Sequence, residues 1–135
     1  MIGVVVVTHG QLANELVNAA EMIVGDLPQF AAVSIGWHED VNDAREDIAQ
    51  AVERVRAEQG VLLLTDMFGG TPSNLGMTFL EANQLEVITG VNLPMLIKLA
   101  SLRSSQDLLA VAREMRDHGR NAIWVASDLM RSEKA

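Results

Sequence analysis

The chain contains no cysteine, which excludes disulfides, thiolate chemistry and cysteine-based metal sites. It is also short of positive charge. Ten Lys and Arg stand against 18 Asp and Glu, a formal net charge of −8, which argues against nucleic acid as a partner and for a basic protein. No apolar run is long enough to span a membrane. The opening stretch Met1-Ile2-Gly3-Val4-Val5-Val6-Val7 lacks a basic lead and runs into Thr8-His9-Gly10 where a signal peptide would continue. It reads as a first strand, and the protein as cytoplasmic. Internal repeats, linkers and low-complexity tracts are absent, as are a Walker lysine and the serine nucleophile motifs.

What is present is an ordinary globular composition. The 135 residues are 49% apolar and 21% charged, which predicts one domain over residues 1–135 with a substantial core. Ile2 to Val7 is almost wholly β-branched and reads as a strand covered on both faces. From Gln11, the apolar residues Leu12, Leu16, Ala19 or Ala20, and Ile23 recur at helical spacing, with Gly25 as the stop. Phe30 to Ile35 is a second strand. Val41, Ala44, Ile48, Ala51 or Val52, and Val55 mark a second amphipathic helix. Leu85 to Thr89 gives a fourth strand. Helical segments are expected from Met95 to about Leu102 and from Ser104 or Ser105, with Asp107 in the first turn, to Gly119. Asn121 to Asp128, around Ile123-Trp124-Val125, reads as a fifth strand before a polar tail.

The third strand carries the most information. Val61-Leu62-Leu63-Leu64-Thr65 ends on Asp66, breaks at Gly69-Gly70, and meets Thr71 as an N-cap with Pro72 at the first position of a helix. Strand, glycine turn and helix start set several backbone N–H groups beside one carboxylate, an arrangement suited to an anion. Strands alternating with helices predict an α/β three-layer sandwich, its sheet parallel over four strands with an antiparallel C-terminal strand. Right-handed crossovers bring the βα loops to the carboxyl edge, and in the commonest small order strands 1 and 3 are neighbours. His9 and Asp66, each just past the end of one of those strands, should then face each other.

A histidine beside a glycine turn serves as nucleophile, general base, metal ligand or plain structural residue. An aspartate accepting the Nδ1 proton fixes the tautomer, leaves a lone pair on Nε2 and stabilises the cation formed on attack. Gly69, Gly70 and Thr71 offer N–H groups to phosphoryl oxygens, and Thr71 a hydroxyl as well. His38, in the loop after strand 2, falls on the same edge, either lining a docking surface or simply solvated. Trp37, Met67, Phe68 and Met95 are apolar residues of the active-edge loops, suited to a partner-docking patch or to ordinary loop packing. His118, at a helix end, complements the dipole and is assigned no chemistry. A metal site from His9, His38 and Asp66 has no recognised spacing, so no metal and no cofactor is expected.

Three motifs, Val-Thr-His-Gly at 7–10, Leu-Leu-Leu-Thr-Asp-Met-Phe-Gly-Gly-Thr-Pro-Ser-Asn at 62–74 and Ile-Thr-Gly-Val-Asn-Leu-Pro-Met at 88–95, follow three strands in order. Together they resemble the mannose-type enzyme IIA component of the bacterial phosphoenolpyruvate-dependent sugar phosphotransferase system, over essentially the whole chain. The resemblance implies a phosphotransferase relay component whose His9 takes a phosphoryl group from the carrier protein HPr and passes it to a IIB component. That component serves a sugar permease, so contact with the membrane is indirect. It further implies that Nε2 carries the group, Asp66 binds Nδ1, and Thr71 stands in for a hydroxyl residue at the active site. A homodimer that exchanges its final strands is implied too. Two other readings remain at this point. A histidine phosphatase also has His-Gly after its first strand but carries arginine before the histidine, where this chain has Thr8. A regulatory protein phosphorylated on His9, signalling through binding without transport, would use the same receiving chemistry.

Overall fold

The computed structural model describes residues 1–37, 39–102 and 107–134. Strands β1 (Gly3–His9), β2 (Phe30–Ile35), β3 (Val61–Thr65) and β4 (Leu85–Thr89) form one parallel sheet in the order β2-β1-β3-β4. Helices α1 (Leu12–Val24), α2 (Val41–Val55), α3 (Thr71–Met77), α4 (Leu93–Leu102), α5 (Leu108–Asn121) and α6 (Ala126–Lys134) complete the described chain. No helix among the described residues is long and apolar enough to cross a membrane.

Period-2 alternation sorts the strand side chains into two cores. On one face Val4, Val6, Leu62, Leu64 and Ile88 meet Ala13 and Ala20 of α1, Leu96 and Leu99 of α4, and Val111 and Met115 of α5. On the other, Val5, Val7, Val33, Ile35 and Leu63 meet Ala44, Ile48, Ala51, Val52 and Val55 of α2 and Leu75 of α3. The result is the expected three layers. β1 and β3 carry unbroken apolar runs, residues 4–7 and 61–64, because both their faces are covered. Helix α2 is capped locally at its start, where the Asp40 carboxylate accepts from the N–H groups of Asn42 and Asp43.

Four local expectations shift. Helix α1 buries Ala13 and Ala20, while Leu12 and Ile23 are exposed; the helix sits on its small residues, which turns its inner face by one position. Gly70, not Thr71, occupies the N-cap of α3, with Thr71 already helical. Asp107 is the N-cap of α5, its carboxylate accepting from the Ala110 N–H, and the predicted start at Ser104 or Ser105 lies outside the described residues. Gly119 lies within α5, where its lack of a Cβ admits the tip of Met95.

The expected C-terminal antiparallel strand is not found among the described residues. Helix α5 runs to Asn121, and after a short link α6 starts at Ala126 with Asp128 in its first turn. Ile123, Trp124 and Val125 have strand-forming side chains, but a strand exists only when another strand accepts its backbone. Here the N–H groups of Asp128 and Leu129 turn back onto the Val125 carbonyl, the local solution available without a neighbour.

Among the glycines, the tightest surroundings are at Gly3, where a Cβ would stand 1.9 Å from the carbonyl oxygen of Val55. Gly3→Ala must push the end of α2 off β1, and overpacking against backbone costs about 3 kcal/mol. Urea unfolding should show that loss; a stability within about 0.5 kcal/mol of the parent, the range of an innocuous surface change, would contradict the packing.

Candidate functional site

The site is built where β1 and β3 end side by side. Val7 pairs with Thr65, so the next residues out, Thr8-His9 on one strand and Asp66 on the other, leave the sheet at the same level. One oxygen of Asp66, Oδ2, accepts twice from His9: from its backbone N–H at 3.0 Å and from ring Nδ1 at 2.8 Å. The other, Oδ1, accepts from the Met67 N–H at 3.1 Å. A carboxylate has no proton to give, so Nδ1 is the protonated nitrogen and the Nε2 lone pair is free. The Asp66 side chain is 14% exposed and the His9 ring 51% exposed, so the pair is anchored at its base and open at its tip.

Thr8 holds the histidine from behind. Fully buried, its Oγ1 accepts from the Ala13 N–H at 2.7 Å and donates to the His9 carbonyl at 3.1 Å. Strand end, histidine and start of α1 are thereby one unit. The Gly10 N–H, in a left-handed turn, reaches across to the Ile35 carbonyl and fixes the same corner to β2.

The glycine turn closes over the ring. Gly70 has φ of +91°, and a Cβ there would lie 3.1 Å from both Cε1 and Nε2 of His9. Only glycine provides both the left-handed backbone and that approach. The Gly69 N–H, expected to serve an anion, donates instead to Ser73 Oγ at 2.9 Å. Thr71 follows Gly70 as the first helical residue, with its side chain exposed. His9, Asp66 and Gly70 are therefore brought into contact, with Thr71 adjacent in the chain.

Around this centre the loops after β2 and β3 flank His9, because β1 lies between those strands. They carry Trp37, 98% exposed, together with exposed Met67 and Phe68. Met95 does not join them; it is buried in the core beside α5, since α4 turns it inward. His38 lies outside the described residues. His118 falls in the last turn of α5, as the dipole argument expects. In the β2–α2 loop, the Glu39 carboxyl is held above the usual carboxylate range by a hydrogen bond shared with Asp47 and then by partial burial. Thr8 and Ser73 were the residues that sequence reasoning missed. Serine in a helical first turn, able to bond back to residue i−4, was the one available signal.

A family model described as PTS system fructose IIA component matches residues 3–115. The fructose-specific EIIA component of Bacillus subtilis is 30% identical over 135 residues, covering 99% of this chain and 92% of that protein. The mannose-specific EIIAB component of Escherichia coli is 31% identical over 127 residues; the match takes in 90% of this chain and 39% of that longer protein. Among solved structures, the mannose/sorbose-specific IIA subunit from Enterococcus faecalis superposes with a TM-score of 0.82 at 27% identity, over 92% of this chain and 93% of that one. An EIIA component from Streptococcus agalactiae gives 0.85 at 23% identity over 95% and 99%, a likeness of fold alone.

The geometry makes a spectroscopic prediction. Nitrogen-15 NMR of the ring should report Nδ1–H in the native chain. In Asp66→Asn the amide is able to donate to Nδ1, so Nε2–H should become the populated tautomer. An unchanged nitrogen pattern would show that Asp66 does not set the ring's protonation.

Proposed function

The chain belongs to the PTS fructose IIA component family, and from that premise we propose that His9 is its phosphoryl-carrying residue. Members of this family are phosphotransferase relay proteins of sugar uptake. The finer reading is that Nε2 of His9 takes a phosphoryl group from phospho-HPr and delivers it to a IIB component of a sugar permease. The observation that carries it is the Nδ1 to Asp66 contact of 2.8 Å, which leaves Nε2 as the free nitrogen on a half-exposed ring.

In the receiving step the Nε2 lone pair attacks phosphorus while the nitrogen–phosphorus bond of the donor histidine breaks, returning its electron pair to the donor ring. The imidazolium formed on His9 is stabilised by the Asp66 carboxylate against Nδ1–H. Delivery to IIB is the same displacement in reverse sense. Exchange between two such nitrogens is nearly balanced, so alignment and charge stabilisation supply the catalysis. N–H groups at Gly70 and Thr71, with the Thr71 hydroxyl, are suited to the phosphoryl oxygens, and Gly69 gives the loop its path. Exposed Trp37, Met67 and Phe68 suit a docking protein, and the charge of −8 suits a basic one. A relay between protein carriers places the work in the cytoplasm.

Homodimerisation belongs to the same reading. Ile123, Trp124, Val125 and Met130 are exposed at the C-terminal end, and Ile123 borders a groove along the outer strand β4. An open edge beside an apolar surface favours cover by a second copy.

Incubation with phosphoenolpyruvate, enzyme I and HPr should add one acid-labile, alkali-stable phosphate by intact mass, and none to His9→Ala; a labelled His9→Ala chain would defeat the proposal. Asp66→Asn should slow transfer on the order of 10²-fold or more, and Thr71→Ala should cost about 1 kcal/mol in the barrier. Light scattering at micromolar concentration should give twice the 14.7 kDa chain mass; a single-chain mass would rule out the dimer and leave the His9 chemistry standing.

A further inference from the structure

One fully buried polar side chain near the site takes no part in the chemistry described above. Ser73, the third residue of α3, has 0% exposure, and its Oγ accepts from the Gly69 N–H at 2.9 Å. One residue further, the Asn74 N–H donates to the Gly70 carbonyl at 3.0 Å. Gly69 and Gly70 are consecutive left-handed residues, with φ of +86° and +91°. A glycine pair has the widest conformational freedom of any dipeptide and no side chains to pack, so hydrogen bonds must define its path. Among the described residues these two bonds define it, and of the two only the Ser73 bond comes from a side chain.

The path matters because of what lies under it. At Gly70 the backbone approaches Cε1 and Nε2 of His9 so closely that a Cβ would stand 3.1 Å from each. Nε2 is the nitrogen that Asp66 leaves free. A mechanical line therefore runs from the buried hydroxyl through Gly69 and Gly70 to the reacting atom.

We propose that Ser73 is a positioning residue for phosphoryl transfer, holding the Gly69-Gly70 loop at the height over His9 that an incoming phosphoryl group requires. This rests on the reading of His9 as the phosphoryl acceptor. Ser73 gains and loses no atom in the step; it acts through the two glycines. Without its hydroxyl, the Gly69 N–H turns to solvent, since Gly69 is only half-buried, and Gly70 samples positions nearer to and farther from Nε2. A displacement of about 1 Å suffices to cost a large factor in rate while leaving docking intact.

The test is Ser73→Ala in the full chain, a change to a smaller side chain in a buried place. With phospho-HPr as donor, the maximal single-turnover rate should fall about tenfold or more, and the half-saturating donor concentration should stay within about twofold. Proton and nitrogen NMR should show shifted His9 ring and Gly69 amide signals in an otherwise dispersed, native-like spectrum. A wild-type maximal rate overturns the proposal. So does a rate loss with unmoved His9 signals, or one accompanied by general loss of dispersion, because each makes Ser73 a residue of the fold and nothing more. If the native chain accepts no phosphoryl group, the carrier reading fails, and the His9 ring signals in Ser73→Ala then decide by themselves whether Ser73 governs the contact of Gly70 with the ring.

Discussion

A single carboxylate oxygen governs this molecule's working end. Asp66 Oδ2 holds both the backbone N–H and the ring Nδ1 of His9, so the same atom fixes where the residue sits and how its side chain is turned. Hydrogen bonds to an ionised acceptor contribute about 1.5–3 kcal/mol each, well above a neutral pair. Their geometry is inherited from the sheet. Only a parallel β1 and β3 in direct contact, with Val7 opposite Thr65, deliver His9 and Asp66 to one corner at one level. That adjacency needs β2 on the far side of β1, and hence the crossovers through α1 and α2.

Openness is the second constraint. An enzyme that must exclude water closes over its substrate, whereas the proposed relay needs the same nitrogen open to two different proteins in turn. The half-exposed His9 ring meets that need. Its surroundings divide the labour: the base is locked by Asp66 and Thr8, and the loops beyond it show Trp37, Met67 and Phe68 to solvent. In the proposed relay, water is excluded when a partner covers those side chains, which leaves the lid of the site to the partner.

The parts that could be read from the sequence were those where local and global signals agree. Four apolar strands, the stop at Gly25, and the sheet order that sets His9 against Asp66 all follow from short patterns and chirality. Other features depend on neighbours that no local pattern names. Ile123-Trp124-Val125 has the composition of a strand, yet among the described residues no strand pairs with it, and it forms the link between α5 and α6. Helix α1 turned by one position because Ala13 and Ala20 allow closer contact than the larger Leu12 and Ile23. Met95 looked like a loop residue until α4, starting at Leu93, turned it into the core. Thr8 and Ser73 escaped notice because hydroxyl residues are common, and only burial together with a specific partner distinguishes them.

Helix α3 has only seven residues, and its Gly76 rides directly on the sheet: a Cβ there would stand 2.9 Å from Leu63 Cδ2. The helix thus acts as a short rigid spacer between a core side chain at one end and the loop over the imidazole at the other. Leu63 serves, in effect, as a shim under the active site. If His9 is the phosphoryl acceptor proposed above, the bulk of Leu63 helps set the height of the glycine loop over it, so a change buried in the sheet reaches the ring without touching the surface.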